Sequence, residues 1–317
     1  MRYQLKQIYC RPWTLAGLSL ALMESHYENN YGGALRRLNA ITEQLEALDF
    51  ATAPGYLING LKREELIALN STVLHELFFA SLGGEGKLGP AMNEALARDF
   101  GSVDRWRTEF RGMGYALRGG SGWVVLAYQP GTGRLINQFA AEHSQALAGA
   151  IPILALDMYE HAYHMDFGAN ANAYVDTFMR NIDWSAVAGR YEDAAKVAPP
   201  RPLVQEEYKD VPGIDIEEVR GMLKAGQPVQ LVDARPRHFV SRTHDIAAGA
   251  TWRDPEKLQE WIGEISRTEP VVVYCAYGFH VGCGTTRALR DAGIDARYMK
   301  VGHSGWKAIG GDIKMYP

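Results

Sequence analysis

The chain has 317 residues, of which 47% are hydrophobic and 22% charged, and its formal net charge is -4. This is the balance of a soluble globular protein long enough for one large or two ordinary domains, and it provides no basic surface for nucleic acid or an anionic membrane. No apolar run reaches membrane-spanning length, and MRYQLKQIYCRPW lacks the charged lead and apolar core of a secretory signal, so no membrane partner and a cytoplasmic location are expected. Cys10, Cys275 and Cys283 form neither a disulfide framework nor a thiolate zinc site.

From the N-terminus, Leu18 to Leu45 repeats apolar residues at three- and four-residue intervals, and Lys62 to Leu82 continues in that style, which predicts helices. Each carries a histidine, His26 in LMESHYENNYGG and His75 in STVLHELFFASL. GGSGWVVLAYQPGTGRLINQFA then predicts two strands around a Gly-Thr-Gly turn, and GAIPILALD a third; the short turn favours an antiparallel sheet. Asn172 to Met179 returns to helix. A stretch rich in proline and charge follows, so the chain is divided into a first domain at 1–198, a linker at 199–213 and a second domain at 214–317. In the second domain VQLVDAR, PVVVYC and ARYMKVGH read as strands separated by helical patterns. That succession predicts a parallel sheet with crossover helices, whose strand ends favour chemistry. Asp233 and Cys275 stand at two such ends.

The segment DMYEHAYHMDFG places Asp157 straight after an apolar strand and His161 four residues later. Alone, the pair reads as readily as a self-capping turn or surface pair as it does as a functional one. His75, among Leu74, Leu77, Phe78 and Phe79, reads first as a packed core histidine, although desolvation favours the neutral form that also binds metals. Taken together, His26, His75, Asp157 and His161 offer three imidazoles and one carboxylate, a set suited to a first-row transition metal. Their separation in sequence does not itself bring them together.

DMYEHAY, with HYENNYGGALRRLN, HELFFASL, GSGWVVL and YVDTFMRNIDW, resembles the iron/manganese superoxide dismutase family over nearly the whole first domain. The resemblance implies a helical hairpin packed on an α/β unit, with one iron or manganese ion between them held by His26, His75, Asp157 and His161. It implies conversion of superoxide to dioxygen and hydrogen peroxide by alternate reduction and oxidation of that ion. Glu160 would orient His161 of the other subunit in a homodimer. Trp123 and Tyr163 match pocket residues of the family, whereas Phe79 and Tyr159 stand where it usually has tryptophans. His143 resembles the position from which a side chain donates to metal-bound solvent, and Ser71 holds the alternative place for such a donor; iron is favoured, with manganese open. Asn30, Tyr31 and Ala34 depart from the family's usual gateway residues, and Tyr31 either reaches inward or packs.

In the second domain CAYGFHVG follows a strand and precedes TTRALRDAG, a helix, so Cys275 is either a packed thiol or a thiolate stabilised by loop and helix N–H groups. VDARP, this loop and VGHSGWKAIGG resemble a rhodanese domain. That resemblance implies that Cys275 carries sulfur from a small-molecule donor, with Asp233 and Arg235 as pocket supports or a strand-end salt bridge and Cys283 packed. His280 replaces the usual basic residue of the loop, and Val281 the usual serine; a neutral His280 predicts weak binding of anionic donors above about pH 7. The YG after the cysteine resembles rhodanese-like domains linked to chromate resistance. The alternatives are a sulfurtransferase with a metal-binding dimerisation domain, or a non-catalytic metal or redox sensor.

Overall fold

A computed structural model describes residues 2–8, 10–198 and 206–316. The chain forms two compact units, Met1–Arg201 and Pro202–Pro317. Residues 199–205 of the expected linker lie outside the described residues. Its later part is packed on the second unit: Arg287 donates to the Glu207 carbonyl, pairs with Asp210 at 2.9 Å and sets its guanidinium 5.1 Å over the Tyr208 ring.

The first unit opens with helix α1 (Leu20–Ser25), whose N-terminus is capped by Ser19 Oγ accepting from the Leu22 N–H. A π-helical turn (His26–Tyr31) joins it to α2 (Gly32–Glu46). Buried residues run 22, 23, 26, 31, 32, 35, 38, 41 and 45, and the five-residue step from His26 to Tyr31 is the π turn itself. Helix α2 thereby turns Leu38, Ile41 and Leu45 onto Ala68 of α3 (Gly55–Phe79), the partner in its hairpin. The second half of α3 buries His75, Leu77, Phe78 and Phe79 in the main core.

Helices α4 (Pro90–Phe100) and α5 (Val103–Ala116) lead to an antiparallel sheet of β1 (Trp123–Gln129), β2 (Arg134–Ala140) and β3 (Ile151–Asp157), in the order β2-β1-β3. Strand β1 is central and buried almost throughout, which is why its sequence is continuously apolar. Its register with β3 sets Trp123 opposite Asp157. Short α6 (His164–Phe167), α7 (Ala171–Arg180) and α8 (Trp184–Ala195) close the unit; Arg190 of α8 ties three elements together through Ile153 O, Ala80 O and Ser81 Oγ.

The second unit is built on a parallel sheet of β4 (Gly213–Ile214), β5 (Gln230–Asp233), β7 (Thr251–Trp252), β8 (Val271–Tyr274) and β9 (Ala296–Met299), ordered β4-β9-β8-β5-β7. Strands β6 (Asp245–Ala247) and β10 (Ile313–Met315) pair separately and antiparallel. Helices α9 (Ile216–Lys224), α10 (Arg237–Thr243), α11 (Leu258–Trp261), α12 (Val281–Asp291) and α13 (Gly302–Ala308) intervene. Two apolar clusters, one holding Leu231, Val272 and Met299 and the other Val232, Val273 and Ala296, bury alternate residues of the same strands. The fold is the expected two-domain one, with an antiparallel sheet first and a parallel one second.

Candidate metal centre and cysteine loop

The π turn, the end of α3 and the end of β3 bring His26, His75, Asp157 and His161 to one point, where one ligand atom from each lies within 4.8 Å of the others. Asp157 Oδ2 is 3.1 Å from His26 Nε2, 3.1 Å from His161 Nε2 and 3.6 Å from His75 Nε2, and the last two nitrogens are 3.4 Å apart. Atoms that share one small cation, each about 2.1 Å from it, are spaced in this way. The other ends of the side chains are anchored. His75 Nδ1 donates to the Ser71 carbonyl at 2.6 Å, and Asp157 Oδ1 accepts from the Tyr159 N–H at 2.9 Å. These bonds fix which imidazole nitrogen and which carboxylate oxygen face the centre.

His26, His75 and Asp157 are buried, whereas the His161 side chain is 25% exposed and forms the open side. Burial pushes His26 down and His75 to about 3, so both are neutral donors at physiological pH. Burial alone would raise Asp157, but the neighbouring His161 and His26 more than offset it and keep the carboxyl ionised. Neutral nitrogens around one anionic oxygen are what a divalent or trivalent transition metal requires.

Around this set the walls are aromatic. Phe78 and Phe79 pack 4.8 and 5.1 Å from His26, and Trp123 meets the His75 ring edge-on at 5.2 Å. Tyr159 lies between two histidines, stacked 4.6 Å from His143 and 5.5 Å from His161. Its hydroxyl is 2.9 Å from His143 Nδ1, while His143 Nε2 is buried and has no hydrogen-bond partner among the described residues. Tyr163 is buried and stacks on Tyr174 at 5.3 Å. Of the two alternatives for Tyr31, packing holds: its hydroxyl accepts from the Lys6 N–H and donates to Glu76, and its ring stacks 6.4 Å from His75. Ala34 carries no polar group to replace a gateway tyrosine. The Tyr159–His143 bond escaped sequence reasoning; its signal was a tyrosine at a position filled by tryptophan in the resembling family.

In the second unit Cys275 follows β8 and is buried. Its loop is pressed against the start of α13, with the His303 and Ser304 N–H groups donating to Cys275 O and Ala276 O. Gly302 (φ 58°) makes this approach possible, since a Cβ there would lie 2.5 Å from Cys275 O. His280 (φ 45°) and Val301 (φ 58°), both left-handed without being glycine, border the loop.

The Cys275 thiol donates to Phe279 O at 2.9 Å, while the Gly282 N–H donates to Phe279 O and the Gly284 N–H to His280 O. Of the two readings of Asp233, the strand-end salt bridge is present: Asp233 is fully buried, and Arg235 engages both its oxygens at 2.6 to 3.0 Å. His280 is exposed and packs against Tyr208 and Phe279, at ring distances of 6.1 and 4.8 Å. Cys283 is buried in α12, where burial and then the nearby Cys275 push its thiol up to about 11.

Comparison with known proteins finds a family for each unit. Residues 88–190 match iron/manganese superoxide dismutases, C-terminal domain, and residues 215–309 match the rhodanese-like domain. An iron superoxide dismutase of Cupriavidus metallidurans is 60% identical over 196 residues, covering 62% of this chain and all of that protein. One from Aquifex aeolicus is 34% identical over 59% of this chain and 91% of its own length. A manganese superoxide dismutase of Haloferax volcanii is 33% identical over 57% of this chain and 90% of its own. With full coverage of a 60% identical relative and the three-histidine, one-aspartate cluster at its centre, the chain belongs to the iron/manganese superoxide dismutase family and carries a rhodanese-like domain after it.

Proposed function

We propose that the first unit converts two superoxide ions and two protons to dioxygen and hydrogen peroxide, using one iron or manganese ion held by His26, His75, Asp157 and His161. The observation that carries this reading is the convergence of their four donor atoms within 4.8 Å in a buried aromatic box. A bound iron or manganese supplies a one-electron couple that superoxide can both reduce and reoxidise. Iron is preferred because relatives named for iron match at 60% and 34% identity, with manganese enzymes at 33%.

The chain's own groups shape that chemistry. Asp157 contributes the centre's one negative charge, and the imidazoles contribute none, which favours a cation without cancelling it. Phe78, Phe79 and Trp123 exclude water from the buried side. Burial pushes Tyr159 up to about 12, so its hydroxyl keeps its proton and can donate it to His143 Nδ1, 2.9 Å away. In that tautomer His143 carries its own proton on Nε2, beside the ligand set, where it can donate to an oxygen ligand. Tyr163 acts as a wall of the same box.

A homodimer is favoured by Glu160, which is exposed beside His161, as an orienting contact across a symmetric interface requires. Three free cysteines suit a reducing, cytoplasmic setting, and no described helix is long and apolar enough to cross a membrane. For the second unit, a cysteine at the end of a parallel strand supports sulfur transfer from a small-molecule donor, and the pairing of the two units suits oxidative or chromate stress.

Metal analysis and a dismutation assay on one preparation test the main reading. About one iron or manganese per chain is expected, with metal and activity both lost in His75→Ala and Asp157→Ala. A folded, metal-replete protein no faster than free metal would refute dismutation, and undiminished metal in both variants would refute the ligand set.

A further inference from the structure

The N-terminal strap, residues 2–6, is bonded to the two elements that carry His26 and His75. Both main-chain groups of Lys6 are used on tyrosines of the π turn: its N–H donates to Tyr31 Oη at 2.8 Å, and its carbonyl accepts from Tyr27 Oη at 3.0 Å. Its side chain goes to the other element, where Nζ donates to Glu76 Oε2 of α3 at 2.6 Å. Tyr31 closes the ring by donating to the second carboxylate oxygen, Glu76 Oε1, at 3.1 Å. Further along α2, the strap is pinned by reciprocal bonds of 2.8 and 3.0 Å between Tyr3 and Asn39 and by an ion pair of Arg2 with Glu43.

Each anchor lies close to a ligand along the chain. Tyr31 ends the π turn that His26 begins, and Glu76 follows His75 in α3. The Lys6–Tyr31–Glu76 ring therefore ties the π turn to α3 at the level of the centre, where the His26 and His75 rings stand 5.1 Å apart. Apolar packing joins the same elements, since Tyr27 and Tyr31 lie 5.5 and 6.2 Å from the Phe79 ring. Ring contacts tolerate sliding, whereas hydrogen bonds weaken steeply off their line. The hairpin cluster begins at Leu38, seven residues past Tyr31 and about 10 Å further along α2, which leaves the spacing of the two imidazoles to contacts nearer the centre.

We propose that Lys6, Tyr31 and Glu76 are positioning residues that hold His26 and His75 at the spacing a metal ion needs before one arrives. The inference rests on the ligand set proposed above and extends it to loading: in a preformed site, metal binding does not have to draw two separate elements together. None of the three residues supplies a ligand atom. Tyr31, at a gateway position of the resembling family, has its hydroxyl committed to this ring of bonds, and the strap is thereby part of the metal site's support.

The test is titration of the metal-free full chain with Co²⁺, followed by its visible absorption bands, and with Mn²⁺, followed by the electron paramagnetic resonance of the free ion. Tyr31→Phe keeps the ring and removes both hydroxyl bonds; it should weaken both metals about tenfold, as loss of a group that orients a metal ligand does, with the Co²⁺ bands unmoved because the four ligands remain. Lys6→Ala keeps the main-chain bonds and should weaken both about threefold, the effect of losing one partly exposed ion pair, and Lys6→Arg should restore the wild-type value. Ile41→Val, in the hairpin cluster, should lower the melting temperature of the metal-free protein and leave metal affinity unchanged. Wild-type affinity in Tyr31→Phe, or an equal loss in Ile41→Val, would overturn the positioning role and leave the ligand set standing. No saturable metal binding by the wild type would overturn both.

Discussion

Replacing Tyr159 with phenylalanine keeps the ring that stacks on His143 and His161 and removes only the hydroxyl 2.9 Å from His143 Nδ1. A neutral hydrogen bond between two half-buried side chains is worth about 1 kcal/mol, so its loss shifts the balance between the two His143 tautomers roughly fivefold away from Nε2–H. Dismutation should fall about five- to tenfold, near the lower edge of the losses seen when a residue that orients a metal site is removed. Metal content should not change, because Tyr159 Oη touches none of the four ligand atoms and the Tyr159 N–H that holds Asp157 is retained. Nitrogen-15 spectra of histidine-labelled, metal-free protein should show a proton on His143 Nε2 in the wild type and a mixture in Tyr159→Phe. An unchanged tautomer with an unchanged rate would refute the idea that Tyr159 sets the proton position.

Three further outcomes are expected. His75 has a folded pKa of about 3 against an ordinary value of 6.5, so between those values the unfolded chain binds the extra proton; chemical denaturation of metal-free protein should show stability falling as pH drops through that window, by up to about 1.4 kcal/mol per pH unit for this residue. A chain ending at residue 198 should keep its metal and its dismutase activity, since a 60% identical relative is matched along its whole length by 196 residues; an assay showing inactive but folded truncated protein would contradict the independence of the first unit. Sedimentation equilibrium of metal-loaded protein should show at least a dimer, weakened about tenfold by Glu160→Ala, and a fully active micromolar monomer would remove that role for Glu160.

Much of the fold is legible because its signals are local. The apolar periods of α2 and α3, the Gly-Thr-Gly turn between β1 and β2 and the uniformly apolar β8 each reflect the burial of a single element. The ligand set is legible through the DMYEHAY motif, although nothing in the spacing of residues 26, 75 and 157 shows that three elements meet. What stayed hidden depends on contacts distant in sequence. Arg235 and His303 are 68 residues apart, so the hydrogen bond between them has no sequence signature. The environment of the Cys275 thiol is hidden for a related reason: a strand followed by a helix does not reveal that the thiol reaches back to Phe279 O.

The π turn from His26 to Tyr31 also dictates which insertions and deletions the first unit can accept. Because each residue of a helix advances the side-chain direction by about 100°, deleting one residue among Glu28, Asn29 and Asn30 to restore a regular helix would rotate everything downstream by that angle. Either His26 would leave the centre, or Leu38, Ile41 and Leu45 would turn away from α3. Length in this segment is thus a phase setting shared by the metal centre and the helical hairpin, and a descendant sequence can change the letters here far more freely than their number.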